Sequence, residues 1–306
     1  MINSLSTIAP IALLILSGFV IKRYLVTGEG FWRTTDKFVY YIFFPALLLL
    51  NISTAEFDIA PVFSGLATAM MSTAFVAAAM FIYKYITAME NKLFSSVFQG
   101  SVRYNSYIFI ALSSNYLGEA GAALSGIFIA VMIIFTNMIS VIILTIYGQG
   151  GKMDIQDITL KTGANPLIMG ALLGVGVNIS GISLQQFFIT DYLYYLGAPA
   201  MPLSLLSIGA GLIFTFDRTK ARAISAAVFA KLILLPAFAV VMLSFLPLPF
   251  IMKAVTILYC AVPCASNAYI LSRQMGGDSD VMASVITWGT LLSPFSIYIF
   301  MYICMP

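Results

Sequence analysis

A polar cluster, Arg103-Tyr104-Asn105-Ser106, interrupts an apolar run, and Asn105-Ser106-Tyr107-Ile108 returns 162 residues later as Asn267-Ala268-Tyr269-Ile270. Each copy leads to a Gly-acid pair, Gly118-Glu119 and Gly277-Asp278, and then to Ser125-x-Ile127 and Ser284-x-Ile286, with one three-residue gap between the copies. Amides, hydroxyls and a guanidinium are hydrogen-bonding groups, suited to reversible binding of a polar solute. Enzyme chemistry lacks its residues. The chain has no histidine, the usual metal ligand and proton shuttle. Gly276-Gly277-Asp278-Ser279-Asp280 carries acids, but it falls at an expected turn and has no second aspartate at mid-span for a catalytic dyad. Capping and helix-dipole effects account for acids there. Cys260, Cys264 and Cys304 sit in apolar surroundings and imply no disulfide framework. No enzyme activity, metal or cofactor is expected.

The elements that must position these residues are membrane helices. The chain is 61% hydrophobic and 9% charged, with mean hydropathy +1.00, whereas soluble domains carry about 25% charged residues. A spanning helix takes about 20 apolar residues, so 306 residues hold roughly ten with short loops. The net charge of +3 reflects loop placement and does not point to nucleic acid. The N-terminal segment has neither a basic n-region nor a small-residue cleavage site, so a retained first helix is expected.

Apolar runs between punctuating residues place ten helices at about 5–24, 37–54, 62–86, 94–116, 120–147, 166–182, 191–215, 221–246, 250–274 and 280–303. The fold class expected is an all-α polytopic membrane protein. Residues 1–147 form a first repeat, 148–165 a cytoplasmic connection and 166–306 a second repeat; 183–190 lies along the interface. The loops after odd-numbered helices hold Lys22, Arg23, Arg33, Lys37, Lys84, Lys92, Lys152, Lys161, Arg218, Lys220, Arg222 and Arg273, and those after even-numbered helices hold no Lys or Arg. Cytoplasmic loops concentrate these residues, which puts both termini outside. Five helices per half is an odd number, so the repeat is inverted.

The fourth and ninth spans are the interrupted ones. Pro263 breaks the backbone ladder of the ninth, and Ser266 and Asn267 follow it. Asn and Ser beside a break can cap new helix ends or bond a neighbour; both uses are compatible with solute contact. Antiparallel spans crossing at their breaks bring helix dipole ends together, where they can hold an ion. Arg103 lies about nine residues into its span, roughly 13 Å along the axis. At that depth it either snorkels to the interface or contacts an anion. Lys231, ahead of Pro236, has no evident acidic partner and is expected to bond freed carbonyls. Pro45 in the second span matches Pro199 and Pro202 in the seventh. Gly170-x-x-x-Gly174 marks helix packing.

Several of these segments together resemble the auxin efflux carrier family in its prokaryotic form. They are Phe44-Pro45-Ala46-Leu47-Leu48-Leu49, the run Pro202 to Ala210, Arg103-x-Asn105, and Val262-Pro263-Cys264-Ala265-Ser266-Asn267-Ala268-Tyr269-Ile270-Leu271. The resemblance implies ten helices in a five-plus-five inverted repeat. Scaffold and transport domains would each draw on both repeats, and helices 4 and 9 would cross beside the substrate, as in bile-acid symporters and sodium/proton antiporters. It carries substrate contact onto Asn105 and Asn267. Leu112 stands where the family usually has a proline, so the first break must rest on Asn105-Ser106 and Ser113-Ser114-Asn115.

The function expected is secondary transport of a small organic anion such as a carboxylate, in the inner (plasma) membrane, by alternating access. The candidate substrate-binding residues are Arg103, Asn105, Ser106, Tyr107, Pro263, Ser266, Asn267 and Pro45. The expected partners are the anion and the lipid bilayer, with a homodimer as the candidate assembly. A sodium-coupled symporter of the bile-acid type and a non-transporting sensor on the same fold are the alternatives.

Overall fold

The computed structural model describes residues 4–55, 59–148, 166–182, 188–212 and 218–304. The 148–165 connection, from residue 149 on, and residues 183–187 lie outside the described residues. Every regular element among those described is helical. Six helical stretches are long and apolar enough to cross a membrane: Glu29–Ser53, Ala60–Thr87, Asn91–Tyr147, Ile189–Ala210, Ala221–Ser244 and Ser279–Cys304. Leu13, Phe63, Phe245 and Phe295 are large, apolar and exposed, the surface that lipid and not water accommodates. The protein is therefore an all-helical, multi-pass membrane protein.

The chain divides into two compact units, each drawing on both halves of the sequence. Unit 1 comprises Met1–Val62, Tyr107–Ile133 and Leu160–Gly211. Its helices are α1 (Ser4–Tyr24), α2 (Glu29–Phe38), α3 (Phe44–Ser53), the larger part of α6 (Ser106–Tyr147), α7 (Pro166–Ser180), α8 (Ile189–Gly197) and α9 (Ala200–Ala210). Unit 2 comprises Phe63–Ser106, Ile134–Thr159 and Leu212–Pro306. It holds most of α4 (Ile59–Thr87), α5 (Asn91–Val102), the end of α6, α10 (Ala221–Phe229), α11 (Leu235–Ser244), α12 (Phe250–Ala261), α13 (Ala268–Gln274) and α14 (Ser279–Cys304).

Unit 1 is held by backbone-close helix pairs. A Cβ on Gly209 would lie 1.8 Å from the Ile15 carbonyl oxygen, and one on Gly18 would lie 1.9 Å from that of Leu206. The two glycines therefore let α1 and α9 touch along their main chains. Gly170 does the same for α7 against Pro45 of α3, where an added Cβ would meet backbone at 2.7 Å. The Gly170-x-x-x-Gly174 spacing is a packing face, as its small residues indicate. Asn178 closes the far end of α3 by donating to the carbonyls of Ala55 at 2.7 Å and Ile52 at 3.1 Å.

Proline chemistry sets the distortions. Pro45 and Pro236 have no N–H, and their rings crowd the carbonyl four residues earlier. Each is preceded by a single π turn, Val39–Phe43 and Ala230–Leu234. The Leu232 carbonyl, which Pro236 cannot serve, accepts from Ser296 Oγ instead. The expected 117–119 loop shrinks to one residue: Gly118, at φ 65° and ψ −153°, is non-helical and separates two helical segments of α6, folded so closely that a Cβ on Gly121 would lie 2.3 Å from the Ser113 carbonyl oxygen. The second span starts eight residues earlier than expected, at Glu29, because α2 runs through the π turn into α3. Ser113-Ser114-Asn115 stays helical and makes no break.

Candidate functional site

Both interrupted spans break inside unit 2. The first break is Arg103–Asn105, between α5 and α6; the second is Val262–Asn267, between α12 and α13. Helices α5 and α12 have 12 residues each, about 18 Å at the helical rise. Neither by itself reaches across a hydrocarbon core of about 30 Å. Arg103 follows twelve helical residues instead of the nine expected, because α5 begins at Asn91.

The breaks join each other. Asn105 donates its backbone N–H to the Pro263 carbonyl at 2.8 Å. Pro263 itself offers no donor and packs below Gly289 of α14, whose Cβ position is 3.8 Å from the proline Cβ. Tyr104 meets Tyr259 edge-on at 4.6 Å between ring centroids, backing the first break against α12.

Arg103 is 6% exposed and does not snorkel. Its backbone N–H donates to the Gln99 carbonyl at 3.0 Å, closing α5. Its Nη1 donates to Gln99 Oε1 and its Nη2 to Asn267 Oδ1, both at 3.0 Å. Gln99 Nε2 then donates to Ser272 Oγ at 2.8 Å and to the Ala268 carbonyl at 3.3 Å. Ser272 Oγ lies 3.2 Å from Ser96 Oγ. One polar network thus runs from α5 through both breaks to α13. Gln99 and Ser272 belong to it although the site list drawn from sequence omits them. The signal for Gln99 was its position four residues before Arg103, which puts both on one helix face.

Lys231 is the second buried cation, 1% exposed. Its Nζ donates to the Cys260 carbonyl at 3.1 Å and stands 5.7 Å from the Tyr259 ring centroid. The carbonyl it bonds is freed by the break at Pro263 and not by Pro236 in its own span. Arg103 at the end of α5 and Lys231 at the end of α12 occupy the positions where cations oppose helix dipoles. Two helix ends carry about one negative charge together, against two from the side chains. Among the described residues, neither cation bonds a carboxylate.

Exposure separates the remaining candidates. Asn105 and Pro263 are buried, Ser106 is half-buried, and Ser266 and Asn267 are exposed. Tyr107 and Pro45 belong to unit 1, both half-buried, where Tyr107 stacks on Phe44 at 4.7 Å beside the proline. The Gly276-Gly277-Asp278 turn is structural: Asp278 Oδ1 accepts the Val281 N–H at 3.1 Å and caps α14, while Oδ2 pairs with Lys220 at 2.6 Å. Gly276, at φ 73°, supplies the left-handed conformation that turn requires.

A family model described as membrane transport protein matches residues 4–301. An uncharacterized transporter of Methanothermobacter thermautotrophicus is 23% identical over 310 residues, covering 96% of this chain and 96% of that protein.

Proposed function

The chain belongs to the membrane transport protein family, of auxin efflux carrier type, and from that premise we propose that it is a secondary carrier of a small organic anion such as a carboxylate, working by alternating access. The observation that carries the anion reading is the charge balance at the breaks. Two cations buried beyond 90% meet two helix ends and amide oxygens, and among the described residues neither bonds a carboxylate. A buried charge needs compensation, and an anionic solute supplies it. Exposed Ser266 and Asn267 at membrane depth add a polar opening that lipid cannot satisfy.

In this reading the protein is a ten-helix, five-plus-five inverted repeat in the inner membrane. α5–α6 and α12–α13 form its crossing spans, and both termini lie outside. Unit 2, which holds both breaks, is the transport domain and unit 1 the scaffold. Asn105, Ser106, Pro263, Ser266 and Asn267 are the substrate contacts on unit 2, with Arg103 bonded to Asn267 beside them and Tyr107 and Pro45 as further candidates. Purified protein in proteoliposomes is expected to give saturable carboxylate flux that Asn267→Ala reduces by at least about tenfold, the worth of one charge-assisted hydrogen bond. Flux that requires sodium would favour the symporter. Carboxylate binding without any flux would favour a sensor.

A further inference from the structure

We propose that Arg103 is a positioning residue: it holds the Asn267 amide oxygen, so that the amide presents its N–H donors, and never its acceptor, to the solute. The site would thereby select carboxylates over the primary amides of the same acids. This rests on the anion-carrier reading and specifies how that site reads its substrate.

The argument starts from what a guanidinium can do. Arginine has five N–H donors and no acceptor, so any amide it bonds must turn its oxygen inward. Arg103 bonds two amides and thereby determines both orientations: Gln99 through Oε1 and Asn267 through Oδ1, each at 3.0 Å. The consequences differ. The Gln99 Nε2 group is directed into the protein, onto Ser272 Oγ at 2.8 Å and the Ala268 carbonyl at 3.3 Å. That leaves Gln99 buried and satisfied. Asn267 is exposed, and no bond from its Nδ2 is among those joining the described residues. Its two amide donors are therefore left for a solute.

Turning the Asn267 amide over would set N–H against N–H and leave a buried charged donor unsatisfied. A hydrogen bond to a charged group favours the observed orientation by about ten- to a hundredfold. Arg103 is itself 6% exposed, so contact with the solute falls to the exposed Asn267, whose donors are both on Nδ2. A carboxylate offers two acceptor oxygens and no donor. A primary amide offers one acceptor and an N–H group that meets the donors of Asn267 unfavourably.

The test uses the full-length protein in detergent. Apparent affinities come from thermal stabilisation by succinate, phenylacetate, and their primary amides, since a ligand of the folded state raises its stability. Wild type is expected to prefer each acid over its amide by about tenfold or more. Arg103→Gln should abolish most of that preference, and Arg103→Lys, which keeps a cationic donor, should retain the larger part. In an Asn267→Ala background the further change Arg103→Gln should alter acid affinity by less than about twofold, because positioning acts only through Asn267. An Arg103→Gln effect of equal size with and without Asn267 overturns the inference, since it would mean direct contact or a purely structural role. If Arg103→Gln does not fold, Asn267→Asp decides. It keeps an acceptor for Arg103 and loses the donors, so retained carboxylate affinity overturns the proposal. A wild type that binds and transports none of the acids overturns the carrier reading as well. One that transports acids without preferring them over amides overturns this inference alone.

Discussion

The ammonium of Lys231 donates to the carbonyl of Cys260 at 3.1 Å, twenty-nine residues away along the chain. A cation from one helix thus closes the cut end of another, where the break at Pro263 has removed the next helical donor. Lys231→Met keeps most of the volume and leaves that carbonyl without its donor, at a cost of about 1–3 kcal/mol. Lys231→Gln keeps an N–H group and should fall between wild type and Met. Thermal unfolding in detergent orders the three; a Met variant as stable as wild type would show that the bond contributes nothing.

The approach of α1 and α9 depends on Gly18 and Gly209. Gly209→Ala would drive a methyl to 1.8 Å from a backbone oxygen, and overpacking of this kind costs about 1–3 kcal/mol or more. Gly176→Ala in α7 is the control, because nothing lies within 4 Å of its Cβ position. It should be neutral or stabilising by up to about 1 kcal/mol. Equal melting temperatures for the two variants would contradict the close packing.

Gly118 joins the two helical segments of α6 at φ 65° and ψ −153°, with nothing within 4 Å of a new Cβ. The penalty for Gly118→Ala is therefore backbone strain alone, about 1–3 kcal/mol. Its melting temperature should drop while Gly121 and the residues around it stay unaltered in sequence. An unchanged value would mean that the junction does not depend on the left-handed conformation of Gly118.

The proposed orientation, with both termini outside, rests on the loop charges and is testable by labelling. With Cys260, Cys264 and Cys304 replaced, single cysteines at the exposed positions Thr54 and Ser244 should react with an impermeant thiol reagent applied from outside. Cysteines at the exposed positions Thr87 and Thr219 should react only after permeabilisation. The opposite pattern would invert the topology.

Much of the architecture is legible without coordinates, because its causes are local. Membrane class follows from composition, and helix interruption at Pro263 follows from a missing N–H and a ring clash. The Gly170-x-x-x-Gly174 face announces close packing by residue size alone, and Asp278 before α14 reads as a cap. The first break was harder to place. No proline marks it, and Ser113-Ser114-Asn115 looked as plausible from residue type as Asn105-Ser106. It falls at Arg103–Asn105 because the Asn105 N–H finds its acceptor on Pro263 of the other interrupted span. A bond between residues so distant leaves no trace in local propensity.

The sequence by itself determined that this chain is a multi-pass membrane protein of a transporter family, with rare polar residues concentrated in two matched segments. Those properties depend on hydropathy, proline geometry and residue order, all readable along one dimension. Only the tertiary structure decided what the polar residues do to one another. Arg103 and Asn267 stand 164 positions apart, and Lys231 and Cys260 lie on different helices. Which oxygen meets which donor depends on the packing of α5, α11, α12 and α13 within one unit. Burial then makes those pairings obligatory, since a cation taken out of water needs a partner within the protein.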